Sequence, residues 1–389
     1  MSLGEIAAAP LEDWLRERYF AASVDISSSG VLNYTLGELR ALLGVDVAEL
    51  DDVIFRDSPS TGCEPLREAV AARFAPGRAD RTMVTHGSTE GIFLALAALL
   101  RPGDEVVVLD PVYHALSAVA RACGARLRVW ELRAEDDFRP DLDLLERQLS
   151  PRTRAVVVNF PHNPTGACLD AAGRRRLAGL LARYDCHLFW DAAFGELVYD
   201  DGPPVAAPGE ADGLPTDRVV STGTLSKAYG LPGIRVGWCV AEPRLLAEMV
   251  RIRDYTTIST SPLNELLALR VLRDADRVLL PRLELARRNR TTLLEWAARH
   301  PGLVGCPPPV GGVSAFPRFP SVPDVTEACE SLLREHGVLV VPGRCFGRPD
   351  RMRIGFGGDA GELTEGLDRV ARVLGDASLT VPSRGGRSR

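Results

Sequence analysis

The chain contains a single lysine, Lys227, against 45 arginines. Only lysine among the basic side chains offers a primary amine that can shed its proton and act as nucleophile or base. The arginine guanidinium stays protonated in proteins. Lys227 closes the run Thr224-Leu225-Ser226-Lys227, with Gly230, Gly233, Arg235 and Gly237 just beyond it. Two hydroxyls and a guanidinium are the donors a phosphate monoester takes, arginine through bidentate, charge-assisted hydrogen bonds. The glycines let backbone come close to a ligand. They do not form a Walker A loop or a G-x-G-x-x-G fingerprint, which argues against a nucleotide. A serine–lysine hydrolase dyad in S-x-x-K spacing is absent too, because position 224 is threonine.

Three more runs carry candidate chemistry. Thr85-His86-Gly87-Ser88-Thr89-Glu90 lies where a predicted strand gives way to an apolar helix, so its amides and the helix dipole favour an anion. In Asn159-Phe160-Pro161-His162-Asn163-Pro164-Thr165-Gly166, two prolines and a glycine make a rigid turn that fixes the Asn163 amide. Asp191 ends the apolar run His187–Trp190 and leads into Ala192-Ala193-Phe194. An acid there is either a cap for the next segment or a buried charge with a cationic partner. Each run alone reads equally well as an ordinary turn.

The elements that position these residues follow from hydrophobic pattern. Apolar, β-branched runs predict strands over Met83–His86, Glu105–Leu109, Arg126–Trp130, Ala155–Asn159, His187–Trp190, Val219–Ser221 and Arg235–Val240. Helical patterns intervene at Thr89–Leu100, Leu116–Cys123 and Ala171–Tyr184. Such alternation predicts an α/β fold, a mostly parallel, doubly wound sheet with ligands at the carboxyl ends of its strands. Beyond a mainly helical stretch, Ser261–Arg299, short strands at Val313–Phe319, Leu339–Val341 and Met352–Phe356 alternate with helices at Val325–Glu335 and Glu362–Val373. That pattern predicts a smaller α+β domain. The expected division is an N-terminal segment, 1–52, joining the small domain or an active-site edge; a large domain, 53–275; and a small domain, 276–389. Ser27-Ser28-Ser29-Gly30 reads as a turn, 202–215 as a surface loop and 383–389 as a disordered basic tail.

Composition removes other classes. With 389 residues, 46% apolar and 25% charged, the chain can bury a large core without staples. A net charge of −6 argues against a nucleic-acid partner. The longest apolar stretch, Gly91–Leu100, is half a membrane span, and the N-terminus lacks the pattern of a secretory leader. The eight cysteines at positions 63, 123, 168, 186, 239, 306, 329 and 345 form no C-x-x-C pair and no metal-ligand spacing. Reduced thiols, a cytoplasmic protein and no metal are expected.

Taken together, the four runs resemble the fold-type I pyridoxal 5'-phosphate (PLP) enzymes of the class I/II aminotransferase family. Asn163 precedes Asp191 by 28 residues, Asp191 precedes Lys227 by 36, and Arg235 follows Lys227 by 8. The resemblance spans nearly the whole chain and implies a homodimer. It implies that Lys227 is catalytic, forming a Schiff base with PLP and acting as base. By the same resemblance Asp191 pairs with the pyridinium nitrogen, Asn163 donates to the phenolate oxygen, and Tyr113 stacks on the ring. Gly87, Ser88, Thr89, Thr224, Ser226 and Arg235 would hold the phosphate. Arg353 would clamp the substrate α-carboxylate, with Arg351 its nearest rival. Phe194 stands against the cofactor where aminotransferases commonly place a tyrosine donor, which implies a more basic Schiff base. The tyrosine that a partner subunit usually contributes is missing between Phe55 and Gly62, where Ser58 and Ser60 are the candidates to contribute instead.

Within that family, Asp25-Ile26-Ser27-Ser28-Ser29-Gly30-Val31, Phe160–Pro164, Arg251-Ile252-Arg253-Asp254-Tyr255 and Met352–Phe356 are similar to the capreomycidine synthase branch. Those PLP enzymes of guanidino-antibiotic biosynthesis cyclise β-hydroxyarginine. The similarity implies a dehydratase/cyclase acting on a hydroxylated arginine, with Ser28 and Ser29 as substrate contacts. The alternative is a conventional PLP aminotransferase using a 2-oxo acid acceptor. A non-enzymatic PLP sensor with a DNA-binding head ranks below both, given the acidic charge.

Overall fold

The computed structural model describes residues 6–199 and 205–379. The expected tail at 383–389, and 202–204 of the expected loop, lie outside the described residues. The strands are β1 (Val24–Asp25), β2 (Thr82–Thr85), β3 (Glu105–Asp110), β4 (Arg126–Glu131), β5 (Thr153–Asn159), β6 (His187–Asp191), β7 (Val219–Thr224), β8 (Gly237–Val240), β9 (Ser314–Ala315), β10 (Val338–Leu339), β11 (Val341–Pro342) and β12 (Met352–Gly355).

Seven of them form one sheet in the order β2-β8-β7-β6-β5-β3-β4. Its β3–β7 pairings are parallel, while β8 runs antiparallel to both neighbours. Because successive side chains of a strand point to opposite faces, each central strand feeds two cores. Val156, Val158, Leu188 and Trp190 join one apolar cluster with Leu177 and Leu181 of the helix Ala171–Tyr184. Ala155, Val157 and Phe189 join the other, with Ile92 and Leu96 of the helix Gly87–Leu99. The sheet is thus covered on both sides, which is why its strands read as nearly continuous apolar runs.

A second, smaller set of strands lies apart from this sheet. β11, β12 and β9 form an antiparallel three-stranded sheet, and β1 pairs in parallel with β10. Two expected strands come out differently. Val313–Phe319 keeps only Ser314–Ala315 as strand, since Pro317 has no N–H to extend the ladder. Leu339–Val341 divides at Val340 into β10 and β11, which pair with different partners.

A buried cation ties the start of the large sheet together. The Arg253 guanidinium, fully enclosed, donates to the carbonyls of Ser60 (2.7 Å) and Val84 (2.8 Å) and faces Glu90 at 3.5 Å. Burial alone would push the Glu90 carboxyl up. Hydrogen bonds from His86 and Thr257, together with the Arg253 charge, hold it down at about 2, so the pair stays ionised beneath the helix Gly87–Leu99. Among the described residues, no helix is long and apolar enough to cross a membrane.

Candidate active site

The site begins where sheet register aligns strand ends. On one rung Thr85, Gly237 and Thr224 are neighbours; on another, Asn159, Asp191 and Thr222. The first rung supports an anion cup. Gly87, the first residue of the helix Gly87–Leu99, has φ +70°, and a Cβ there would sit 2.7 Å from Arg235 Nη2. A Cβ on Gly237 would meet Gly87 C at 2.5 Å and Ser88 N at 2.7 Å. Both glycines are therefore required for the Arg235 guanidinium, the helix start and β8 to converge. Arg235 itself takes φ +51°, a left-handed backbone that non-glycine residues keep mainly where surrounding structure imposes it. Its Nη1 donates to the Pro232 carbonyl at 2.9 Å. Thr224 Oγ1 accepts from the Ser226 amide at 3.1 Å and lies 2.9 Å from Ser226 Oγ. The amides of Gly87, Ser88 and Thr89 open the same helix and share this end of the sheet.

Lys227 is half-buried, and its Nζ donates to Ser29 Oγ at 3.0 Å. The Phe194 ring centre stands 5.9 Å from the amine. Burial first, and then the Arg353 charge, push the Lys227 ammonium down to about 8, with Glu12 and Asp191 opposing the shift. The N-terminal segment is fastened alongside, Val31 N donating to the Lys227 carbonyl at 3.0 Å. The two predicted substrate serines differ. Ser29 meets the amine, whereas Ser28 Oγ accepts from Gly30 N at 3.1 Å within its own turn.

On the second rung Asp191 is buried. Its Oδ1 accepts from Thr222 Oγ1 (3.1 Å) and the Ala193 amide (3.2 Å), and Oδ2 accepts from Asn159 Nδ2 (3.2 Å). Burial pushes its carboxyl up to about 6, and those hydrogen bonds and the Lys227 charge restrain the rise. Asn159 Oδ1 accepts from the Asn163 amide N–H at 2.9 Å, coupling the Asp191 network to the rigid turn. Asn163 Oδ1 in turn accepts from Arg353 Nη1 at 3.1 Å, which leaves the Asn163 NH2 as the donating end.

Arg353, on β12, also donates from Nη2 to the Ser27 carbonyl at 2.9 Å. Its buried Nε has no hydrogen-bond partner among the described residues. Arg351 points elsewhere, donating to the Phe316 carbonyl at 2.9 Å and lying over the Phe138 ring. Tyr113 caps the helix His114–Ala122, and its Oη donates to Glu12 Oε1 at 3.3 Å. Burial, aided by the Glu12 charge, pushes the phenol up to about 12. His162 is enclosed between Thr165 Oγ1 (2.7 Å) and the Pro111 carbonyl (2.8 Å). Burial drives its ring down to about 4, so it braces the turn as a neutral group. Of the serines considered for a partner's site, Ser60 gives its carbonyl to Arg253.

Three residues that sequence reasoning did not assign belong to the arrangement: Asn159, Thr222 and Glu12. The first two become visible only through strand register. A polar residue ending a buried strand was the available signal. Glu12 lies on the helix Pro10–Arg18, more than 200 positions from Lys227, and no local pattern marks it.

The donor set fits PLP. The glycine-lined cup with Arg235, Thr224 and Ser226 suits a phosphate dianion. A buried carboxylate suits a protonated ring nitrogen, the Asn163 NH2 an anionic ring oxygen, and an amine poised near neutrality an aldehyde carbon. Among the described residues, no group of His, Cys, Asp and Glu is arranged to hold a metal ion.

A profile of the aminotransferase class I and II family matches residues 48–370. The chain is 59% identical over 374 residues to capreomycidine synthase of Streptomyces vinaceus, covering 95% of this chain and 94% of that one. It is 32% identical to the arginine–pyruvate transaminase AruH of Pseudomonas aeruginosa, over 81% of this chain and 82% of that one. Among solved structures, the PLP-dependent cyclase OrfR matches with a TM-score of 0.90 at 44% identity, covering 95% of this chain and 98% of that one. A double mutant of Thermus thermophilus aspartate aminotransferase matches at 0.80 and 28% identity, covering 96% of this chain and 97% of that one.

Proposed function

Because the chain belongs to the class I and II aminotransferase family, we propose that it is a PLP-dependent dehydratase/cyclase converting a β-hydroxylated L-arginine to a cyclic guanidino amino acid. The observation that carries this reading is the 59% identity to a capreomycidine synthase over 95% of the chain. The cyclase OrfR among its structural neighbours supports it.

PLP, when bound, supplies the electron sink for the pair left at the substrate Cα. Lys227, half of it in the neutral form at pH 8, holds the cofactor and then removes the Cα proton. Asp191 keeps a positive charge on the ring nitrogen, and Asn159 and Thr222 fix that carboxylate's direction. Gly87, Ser88, Thr89, Thr224, Ser226 and Arg235 grip the phosphate, and Tyr113 covers the ring. Arg353, hydrogen-bonded to Asn163, takes the substrate α-carboxylate. The β-hydroxyl then departs with one proton as water, and a guanidine nitrogen of the same substrate forms a bond to Cβ and gives up its N–H proton, which balances the proton that left with the hydroxyl. Lys227 returns a proton to Cα, so substrate and product differ by one water and no redox change occurs. Holding the guanidine over Cβ makes the ring closure unimolecular, worth up to roughly 7–11 kcal/mol of barrier.

The transaminase reading draws on the similarity to an arginine–pyruvate transaminase, and one assay separates the two. Holoenzyme incubated with β-hydroxyarginine alone is expected to give a product lighter by one water. Product formation that requires pyruvate, with alanine appearing in step, would establish transamination in its place.

The enzyme is further read as a homodimer. Ile54, Phe55 and Tyr255 are 72%, 78% and 92% exposed, large apolar side chains that a two-fold contact would cover. Size-exclusion chromatography is expected to show twice the chain mass. A fully active monomer would end this reading.

A further inference from the structure

We propose that Glu12 is the carboxylate that receives the substrate's guanidinium and makes the site select a cationic side chain; this rests on the hydroxyarginine reading above. A guanidinium drawn into an enclosed site needs an anionic partner, and a carboxylate matches its fork of donors. Two carboxylates act on Lys227, Glu12 and Asp191, and Asp25 acts with Glu12 on Arg353. Asp191 uses both oxygens on Thr222, Ala193 and Asn159. Asp25 accepts from the Ser27 amide (2.8 Å) and hydroxyl (2.6 Å).

Glu12 differs from both. Among the described residues its carboxylate takes one hydrogen bond, the long one from Tyr113, and its charge acts on Lys227, Arg353 and His114 together. Its contact with the Tyr113 hydroxyl places it beside the tyrosine that would cover the ring, close enough for its charge to reach the amine and the α-carboxylate clamp. On its own helix, Asp13 pairs with Arg16 and Glu17 with Arg18. Glu12 forms no ion pair among the described residues, in a chain with 45 arginines. Its place is fixed by buried neighbours: Leu11 and Trp14 pack into the core, and Trp14 Nε1 donates to the Val340 carbonyl at 2.8 Å. With Arg353 holding one end of the substrate and Lys227 at Cα, Glu12 is left for the far end. A partly exposed carboxylate on an N-terminal helix can meet that end without carrying an uncompensated buried charge.

The experiment titrates holoenzyme with L-arginine, which lacks the leaving hydroxyl, and with L-citrulline, its neutral ureido counterpart of the same length. The visible absorption of the bound cofactor reports occupancy. The wild-type enzyme is expected to bind arginine more tightly than citrulline by about 10- to 100-fold, the range for a hydrogen-bonded charge. Glu12→Gln should remove that preference by weakening arginine alone, while Glu12→Asp, which keeps the charge, should retain part of it. Arginine and citrulline weakened equally, or an arginine preference that survives Glu12→Gln, would overturn the assignment of Glu12. So would a Glu12→Asp enzyme as unselective as Glu12→Gln. A wild-type enzyme with no preference for arginine would instead sink the substrate reading, and this inference with it.

Discussion

Lys227→Ala is expected to lose turnover by about ten-thousand-fold, the upper range for a positioned general base. No other side chain in the protein can substitute, because every other cationic side chain of the lysine–arginine class is an arginine. Lys227→Arg should be equally inactive, since a guanidinium keeps the charge but has no neutral form at working pH. The environment explains why this amine is usable. With burial and the Arg353 charge bringing its ammonium down to about 8, half of the amine is neutral at pH 8, against roughly 0.3% for an exposed lysine. The sign follows directly: below pH 8 the neutral fraction falls, so capture of PLP by the apoenzyme should slow about tenfold for each further pH unit. Borohydride treatment of the holoenzyme, followed by peptide mass mapping, should fix one cofactor mass on the peptide containing Lys227. An unlabelled Lys227 peptide would refute the assignment of the amine.

The parts of this arrangement that were legible in sequence are those with local signatures. The buried parallel strands announced themselves as apolar runs, and β3, β5 and β6 fall within two residues of their expected bounds. Lys227 stood out by scarcity, and Asn163, Asp191 and Arg235 by chain-order spacing. The antiparallel direction of β8 was not legible, because a four-residue apolar strand reads the same in either direction. Nor was the backbone of Arg235, expected inside that strand, since its left-handed φ is imposed by what packs around it. Asn159 and Thr222 acquire meaning only when parallel register sets them on either side of Asp191. Arg351 and Arg353 sit two positions apart, Arg353 within β12 and Arg351 just before it; the resemblance put Arg353 first, whereas residue type alone does not separate the two. Their hydrogen bonds diverge to Phe316 and to Asn163. Long-range register and packing thus decide what spacing leaves open.

Asp191→Asn is expected to reduce kcat by about 100- to 1000-fold, comparable to removing one preorganised electrostatic group from an active site, while making the apoenzyme less sensitive to pH. Both effects have one origin. In the apoenzyme the carboxyl is held at about 6, against an ordinary 3.8, so folding favours its protonated form. That contribution is fully present below pH 4 and is lost as pH rises through 6. Above pH 6 the buried charge costs the fold about 3 kcal/mol. A protonated ring nitrogen of PLP offsets this cost, which couples cofactor binding to stability. The asparagine carries no charge to relieve, although its NH2 must face either the Asn159 NH2 or the donors at Ala193 and Thr222. Thermal unfolding of both proteins, with and without PLP, from pH 4 to 8 is the measurement. The wild-type apoenzyme should lose stability across pH 4–6 and regain it on loading, and Asp191→Asn should do neither to the same extent. An Asp191→Asn enzyme that gains as much stability from PLP as the wild type, and turns over as fast, would show that Asp191 does not hold the ring nitrogen.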